Sequence, residues 1–366
     1  MKNNKFYFLT YLIIFILFYF LFGIWGLLEI KKHKDLIFSN KKYLEFHKKY
    51  SNKIHHLRDV NKWGDEENNY LFSKIIFKKD FSNTILLQGD SWIEDISNIK
   101  TSEMFVKKFG EDNNFNIYNA GITSFSPSLM HVQYKILKND FNIRPQVLII
   151  NIDQTDIGDE ICRYKDKKIY SSEGNLIRVH REEYTRATYD YSKIYLYSEL
   201  HFSNNFIKVL KFPYLKTQYF LKRNLSLISE LKKKGFRKRN ESKCGFFQIQ
   251  KELINYNSLS EKNFKKSLSE YLVFLSNEKK IKKVYLTSFP HKEHLQKTYK
   301  VNVSKYIDEV LLSFDDIRFK HINMNNLDHS KEKIEKIYRK NDPASHLANQ
   351  QHKDIFLSNI FSKINE

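Results

Sequence analysis

The chain begins with a block that has almost no polar rhythm. Phe6–Leu28, FYFLTYLIIFILFYFLFGIWGLL, runs 23 residues without a charge. As a helix it would measure about 35 Å, enough to cross a hydrocarbon core of about 30 Å with some tilt. A cleaved signal peptide carries a shorter apolar region, about 7–15 residues, that ends in a small-x-small site. FGIWGLLEIKK offers no such site, so residues 1–30 read as one uncleaved transmembrane helix. Lys2 and Lys5 on one side nearly balance Lys31, Lys32 and Lys34 on the other, and charge alone does not orient the span. Long domains translocate regardless of nearby charge; the expectation is an inside N-terminus with the rest of the chain outside.

Residues 31–81 are polar and charged, with Leu36, Tyr43, Phe46 and Tyr50 at roughly helical spacing, which predicts a helical basic stalk or packing segment. From there a strand–helix alternation sets in. Thr84–Gln88 is a short apolar strand and Trp92–Phe109 a helix. Phe115–Ile122 is a second strand, broken by Gly121. Ser126-Pro127 is a helix start with Ser at the N-cap and Pro at N1, and Met130, Tyr134 and Leu137 share one face of the helix that follows. Gln146–Ile152, QVLIINI, is continuously apolar, as a strand buried on both faces of a parallel sheet must be.

The alternation then pauses. Lys167–Val179 reads as a hairpin turning at Glu173-Gly174-Asn175, followed by Tyr- and Lys-rich helical segments and a basic loop, Leu231–Lys243. It resumes with an amphipathic helix over Ser258–Lys280, with Phe264, Leu268, Tyr271 and Leu275 on one face. Lys282–Pro290 is a fourth strand, Tyr299–Leu312 a helix, Ile317–Met324 a fifth strand and Ser345–Ile364 a final helix. Five strands separated by helices predict a three-layer α/β/α (flavodoxin-like) domain over 82–366, with a central, mainly parallel five-stranded sheet. Residues 157–257 are then one large insertion: a lid, a partner surface or a membrane-facing element.

Composition changes this picture little. The net charge is +20, which raises nucleic acid as a partner. The charge is spread along the chain, however, and its densest runs follow the apolar block, where they suit anionic headgroups. Abundant Lys, Asn, Ile, Phe and Tyr also fit AT-rich coding. No nucleic-acid partner is expected. The two cysteines, Cys162 and Cys244, lack metal-finger spacing; a disulfide between them is open.

Chemistry concentrates at strand ends. The first strand stops on Gly89-Asp90-Ser91, the second runs into Asn119-Ala120-Gly121, and the third into Asp153-Gln154-Thr155-Asp156. Near the C-terminus stands NDPASHLA, with Asp342 and His346. Turn formers explain any one of these, but open α/β sheets bind ligands at the carboxyl ends of their strands. The order Ser…Asp…His is that of one class of hydrolases. Their GxSxG elbow is absent, because Ile93 stands in the second glycine's place.

ILLQGDSW, YNAGITS and NDPASHLA together resemble the first, second and last blocks of the SGNH (GDSL-like) hydrolase superfamily, over about residues 82–156 and 282–360. The resemblance implies Ser91 as nucleophile, Asp342 and His346 as acid and base, and an oxyanion hole formed by the Ser91 and Gly121 amides. Two departures stand out. Thr155 occupies the place of the family's oxyanion-binding Asn, where its hydroxyl can donate one bond; Gln154 or Asn151 are substitutes. The Asp342–His346 spacing, DPASH, is one residue longer than Asp-x-x-His.

The function so implied is a membrane-anchored serine esterase removing an O-acetyl or other O-acyl group from a cell-envelope glycan or lipid-linked substrate. Its expected location is the inner membrane, with the catalytic domain on the periplasmic side. An O-acyltransferase using the same acyl-enzyme, and a non-catalytic scaffold of an envelope polysaccharide system, are the alternatives. No cofactor is expected. His291–His294, HKEH, lacks a third metal ligand; His55 and His56 read as solvated, Asp156, Asp159 and Glu160 as loop structure, and Trp92 as core. No Walker loop, HExxH or dinucleotide fingerprint occurs.

Overall fold

The computed structural model describes residues 2–32, 49–50, 52–55, 74–180, 204–236, 258–295, 302–326, 337–340, 342, 345–348 and 350–364. The chain forms two compact units, Met1–Lys49 with Glu182–Asn240, and Tyr50–Arg181 with Glu241–Glu366.

In the first unit, α1 (Lys2–Lys32) includes Tyr7–Ile30, a segment long and apolar enough to cross a membrane, with a mean hydropathy of 2.4. Its side chains are apolar all round: Phe8, Ile13 and Ile14 point in different directions and all three are exposed. A helix apolar on every side is covered either by the core of a protein or by a membrane.

The second unit holds a six-stranded sheet of order β1-β3-β2-β4-β7-β8. The elements, in chain order, are β1 (Lys74–Phe77), β2 (Asn83–Gln88), α2 (Ser91–Asn98), α3 (Lys100–Asp112), β3 (Phe115–Asn119), α4 (Pro127–Asp140) and β4 (Val147–Asn151). A helical turn at Asp156–Asp159 then runs into a π-helical turn, Glu160–Tyr164, and a small hairpin, β5 (Lys168–Tyr170) and β6 (Leu176–Val179). α5 (Asn205–Phe236), part of the first unit, is followed by α6 (Ser258–Ser276), β7 (Lys283–Ser288), α7 (Val303–Leu311), β8 (Phe319–Asn323) and α8 (Gln350–Ser362).

The five strands expected from the pattern are present and mutually parallel. The sheet has six strands rather than five, because β1 pairs antiparallel with β3. β1 lies in the segment read as a helical stalk. Its four residues and the register shift between Ile75 and Phe77 fit an edge that must not recruit another strand. Tyr50 and Ile54 from the same segment are buried at 1 % exposure, and Ile54 bridges to Val179, so the domain starts at Tyr50 rather than 82. Residues 33–48, 51 and 56–73 of that segment, with Leu36, Tyr43, Phe46 and His56 among them, lie outside the described residues, as do 181–203 and 237–257 of the insertion. The helix expected over Trp92–Phe109 is two helices, broken at Ile99, whose backbone is extended. The final helix begins at Gln350 instead of Ser345.

β4 is buried at every position, as a central parallel strand should be. Along the strands the faces alternate. Ile85, Leu87, Ile149 and Tyr285 join a cluster with Ile93, Val106, Phe356 and Ile360 of α2, α3 and α8. Leu86, Leu148, Ile150 and Leu286 are buried on the opposite side, where α4, α6 and α7 pack together. The strand order reverses between β2 and β4: the chain leaves β2 for β3 on one side and returns to β4 on the other. A crevice opens outside the carboxyl ends of strands at such a point, and Gly89-Asp90-Ser91 leaves β2 there.

Candidate active site

Gly89, Asp90 and Ser91 each have a separate task. A Cβ on Gly89 would lie 2.6 Å from Ile93 Cγ1 and 3.1 Å from Asn151 Cβ, so only glycine lets β2 turn this tightly beside β4. Asp90 caps α2, its Oδ1 accepting the Trp92 amide at 3.0 Å. Ser91 is thereby the first residue of α2. Its amide is one of the orphan donors of a helix N-terminus, where the helix dipole favours negative charge.

The C-terminal loop brings the other two residues to it. His346 Nε2 lies 2.7 Å from Ser91 Oγ, and His346 Nδ1 lies 2.6 Å from Asp342 Oδ2. The His346 amide also donates to Asp342 Oδ2 at 3.2 Å. The extra residue in DPASH is taken up at Ser345, whose φ of 54° lies in the left-handed region and lets His346 fold back over Asp342. Burial alone would pull the His346 imidazole down. The hydrogen bond to Asp342, the charge of Asp342 and the charges of Asp90 and Asp95 outweigh that and raise it above its ordinary 6.5.

The motif HKEH holds this loop. Ser345, fully buried, places Oγ 3.1 Å from His291 Nδ1 and 3.3 Å from Glu293 Oε2, and accepts the Lys292 amide at 3.2 Å. His291 and Glu293 are themselves in contact. Among the described residues no cluster of three or more metal-ligating side chains exists.

The expected oxyanion donors fare differently. The Gly121 amide is already engaged, donating to Asn119 Oδ1 at 2.8 Å, so it is not available in this conformation. Glycine is needed there because a Cβ would sit 2.4 Å from the Glu94 amide nitrogen. Thr155 donates its amide to Asp153 Oδ1, and no hydrogen bond joins it to Ser91 or His346 among the described residues. Gln154 accepts the Val303 amide at 2.9 Å, which commits it to α7. Asn151, at the end of β4 beside Gly89, accepts from Thr287 at 3.0 Å through Oδ1, and no hydrogen bond of its Nδ2 occurs among the described residues.

Several supports carried no motif. Glu94 accepts from the Thr123 amide at 3.0 Å and clamps the 120–123 loop to α2. Gln88 donates to Gln133 at 2.6 Å, and Gln133 to the Ala120 carbonyl at 2.7 Å, tying the same loop to β2. The signal was a glutamine on a buried strand. Trp92 is core, packed at tilted angles against Phe289 and Phe356, with the His346 ring at 6.3 Å. Beside His346 a shallow cleft is lined by Ile96, Ile99, Leu347, Phe356 and Leu357, with Asp95 and Lys353.

Asp90 after β2 and Asp153, Asp156, Asp159 and Glu160 after β4 are all buried. Burial, then the Asp153 charge, raises Asp90 well above the usual carboxylate range; burial, then Asp90 and Asp153, does the same to Asp156. Asp159 is pushed up to about 7, mainly by burial. Glu160 is the exception: against burial, Lys168, the Ser126 hydroxyl at 2.6 Å and the Ser128 amide at 2.8 Å hold it below its ordinary value. His55, read as solvated, instead packs edge-on to Tyr164 at 5.1 Å. Cys162 is disulfide-bonded; Cys244 lies outside the described residues.

A second Ser–His–Asp array occurs on the same sheet. Ser288 Oγ is 2.8 Å from His321 Nε2 and His321 Nδ1 2.6 Å from Asp308 Oδ1. Ser288 is fully buried and also bonded to Ser304 at 2.7 Å.

No family model and no curated protein matches the chain. Among solved structures, two catalytic variants of an acetylxylan esterase from Geobacillus stearothermophilus align over 79 % of this chain and 97 % of theirs, at 8 % identity and TM-scores of 0.37 and 0.36. An acetyl xylan esterase from the rumen bacterium Butyrivibrio proteoclasticus aligns over 79 % of this chain and 65 % of its own, at 7 % identity and a TM-score of 0.34. At such scores the functional assignment rests on the residues themselves.

Proposed function

We propose that this chain is a membrane-anchored serine esterase of SGNH type. Its hydrolase domain is a three-layer α/β/α, flavodoxin-like unit interrupted by the 157–257 insertion, and its span is the apolar helix within residues 1–30. The observation that carries the reading is the unbroken hydrogen-bonded order from Ser91 through His346 to Asp342, at 2.7 and 2.6 Å, at a switch point of a parallel sheet.

In this mechanism His346 Nε2 accepts the Ser91 hydroxyl proton as Oγ attacks the ester carbonyl. Asp342 accepts the Nδ1 proton in a hydrogen bond, fixes the tautomer and stabilises the imidazolium. The oxyanion forms at the N-terminus of α2, met by the Ser91 amide; Asn151 Nδ2 is the side-chain donor best suited to assist. His346 then protonates the departing alcohol, and water, activated by the same imidazole, releases the acid and restores Ser91. The substrate class is an O-acyl ester on an envelope glycan or lipid-linked sugar. A disulfide-bonded Cys162 supports placing the domain in an oxidising compartment outside the cytoplasm.

The full chain in detergent, treated with a fluorophosphonate probe, is expected to gain one adduct on Ser91 that His346→Ala removes. Folded protein without an adduct would overturn the proposal. Turnover of acetylated glycans with and without acceptor sugars then separates hydrolysis from transfer.

A further inference from the structure

Within the first unit, α1 meets α5 along a short stretch. A Cβ on Gly23 would lie 2.2 Å from the Val209 carbonyl oxygen, and one on Gly26 2.3 Å from the Phe212 ring. Two missing side chains therefore set the approach, as small residues do between membrane helices. The Tyr19 hydroxyl donates to the Leu210 carbonyl at 2.6 Å, and the Phe212 ring packs against Phe22 and Trp25 at 5.7 and 5.9 Å. Taking Ile30 as the end of the span, Gly26, Gly23 and Tyr19 lie about 6, 10 and 16 Å along the axis from it, so every one of these contacts falls in the half of the span next to that end.

Around α5 the residues sort by direction. At about 100° per residue, Phe206, Leu210, Tyr214, Phe220 and Leu221 fall within an arc of about 120°. Four of them are strongly exposed, at 67 % for Phe206, 57 % for Tyr214, 59 % for Phe220 and 52 % for Leu221. Lys208 and Lys211 lie on the opposite side, with Lys211 exposed. The flank that docks on α1, carrying Val209 and Phe212, lies between the two. In water this apolar arc would be an uncovered patch; beside a membrane span it has a covering at the right level.

We infer that α5 is a second membrane element, a helix lying in the bilayer interface against the end of the anchor. Its Phe206–Leu221 arc enters the acyl region and its lysine side meets anionic headgroups. The inference rests on the reading of α1 as a span, and it gives the insertion a lipid-binding role.

The test uses the full chain in vesicles of phosphatidylethanolamine and phosphatidylglycerol, spin-labelled at one introduced cysteine, with the parent chain as the labelling blank. Phe15→Cys reports on α1; Tyr214→Cys and Leu221→Cys report on the apolar arc, and Lys211→Cys on the basic side. Relaxation by oxygen, which concentrates in lipid, is compared with relaxation by a water-soluble nickel chelate. Labels at 15, 214 and 221 are expected to favour oxygen several-fold over the label at 211. Oxygen access at 15 with chelate access at 214 and 221 would overturn the inference and leave the anchor standing. Labels at 214 and 221 shielded from both reagents would mean that protein covers the arc, and would also overturn it. Chelate access at 15 would remove the anchor, and the inference with it.

Discussion

Ser91–His346–Asp342 and Ser288–His321–Asp308 have nearly the same internal distances, 2.7 and 2.6 Å against 2.8 and 2.6 Å, yet their surroundings differ at both ends. Ser91 opens a helix at the switch point and keeps part of its surface open. Ser288 closes β7 at 0 % exposure, its oxygen shared with Ser304, so no carbonyl carbon can reach it. At the acid end, the Asp342 side chain is 16 % exposed and the Asp308 side chain 52 %. Water screens a half-exposed carboxylate. For His321, burial wins over Asp308 and the imidazole is lowered; for His346, Asp342 wins and it is raised. Hydrogen-bond order is thus not enough. A working array needs a reachable serine and an acid enclosed enough to hold a charged imidazole.

The serines give the largest contrast. Ser91→Ala is expected to cut kcat by up to about 10⁶-fold, as loss of a serine nucleophile does, with folding intact. Ser288→Ala is expected to leave kcat unchanged and to destabilise by about 1–3 kcal/mol, because buried partners lose a hydrogen bond. Turnover assays and thermal melts on the pair check both; a shared loss of activity would dissolve the distinction.

The acids come next. Asp342→Asn should cost about 10⁴-fold in kcat through the wrong histidine tautomer. Asp308→Asn should leave kcat alone and shift stability by no more than about 1 kcal/mol, the range of exposed pairs. Equal kinetic effects would sink the argument from exposure.

The parallel strands were legible because continuous apolar runs such as VLIIN have no other way to be buried. Ser91, Asp342 and His346 were legible because strand ends and chain order carry information. Other features had no local signal. β1 depends on pairing with β3, and nothing in KIIF announces an antiparallel partner. The engagement of Gly121 by Asn119 is a side-chain choice that the spacing NAG does not reveal. The second array joins β7, α7 and β8, three elements whose residues meet only after folding. HKEH looked like a partial metal site because the sequence does not disclose Ser345 as its neighbour.

The raised His346 gives a pH contrast. In the proposed mechanism the neutral imidazole is the base, so rate falls as pH drops through its folded value, which lies above 6.5. The acid limb of kcat/KM is expected to have its midpoint above 6.5 and to move down in Asp342→Asn, which removes the carboxylate charge that raises His346. A midpoint that stays put would show that Asp342 does not set the base.

The smallest effect concerns how each histidine is held. His321 sits in a strand, where the ladder fixes it; His346 sits in a loop, and its neighbour Ser345 has φ +54° with Oγ bonded to the His291 side chain and the Lys292 amide. Ser345→Gly keeps that backbone conformation at no steric cost and removes only the hydroxyl. A shift of the order of 1 Å near the chemistry can cost about 10²-fold, and a partial loosening should cost about tenfold in kcat, with KM and the melting temperature little changed. Ser345→Thr, which restores an oxygen but strains a β-branched residue at positive φ, should recover part of kcat while melting lower. If Ser345→Gly lost stability but not kcat, the HKEH contacts would be packing, and His346 would owe its position to Asp342 alone.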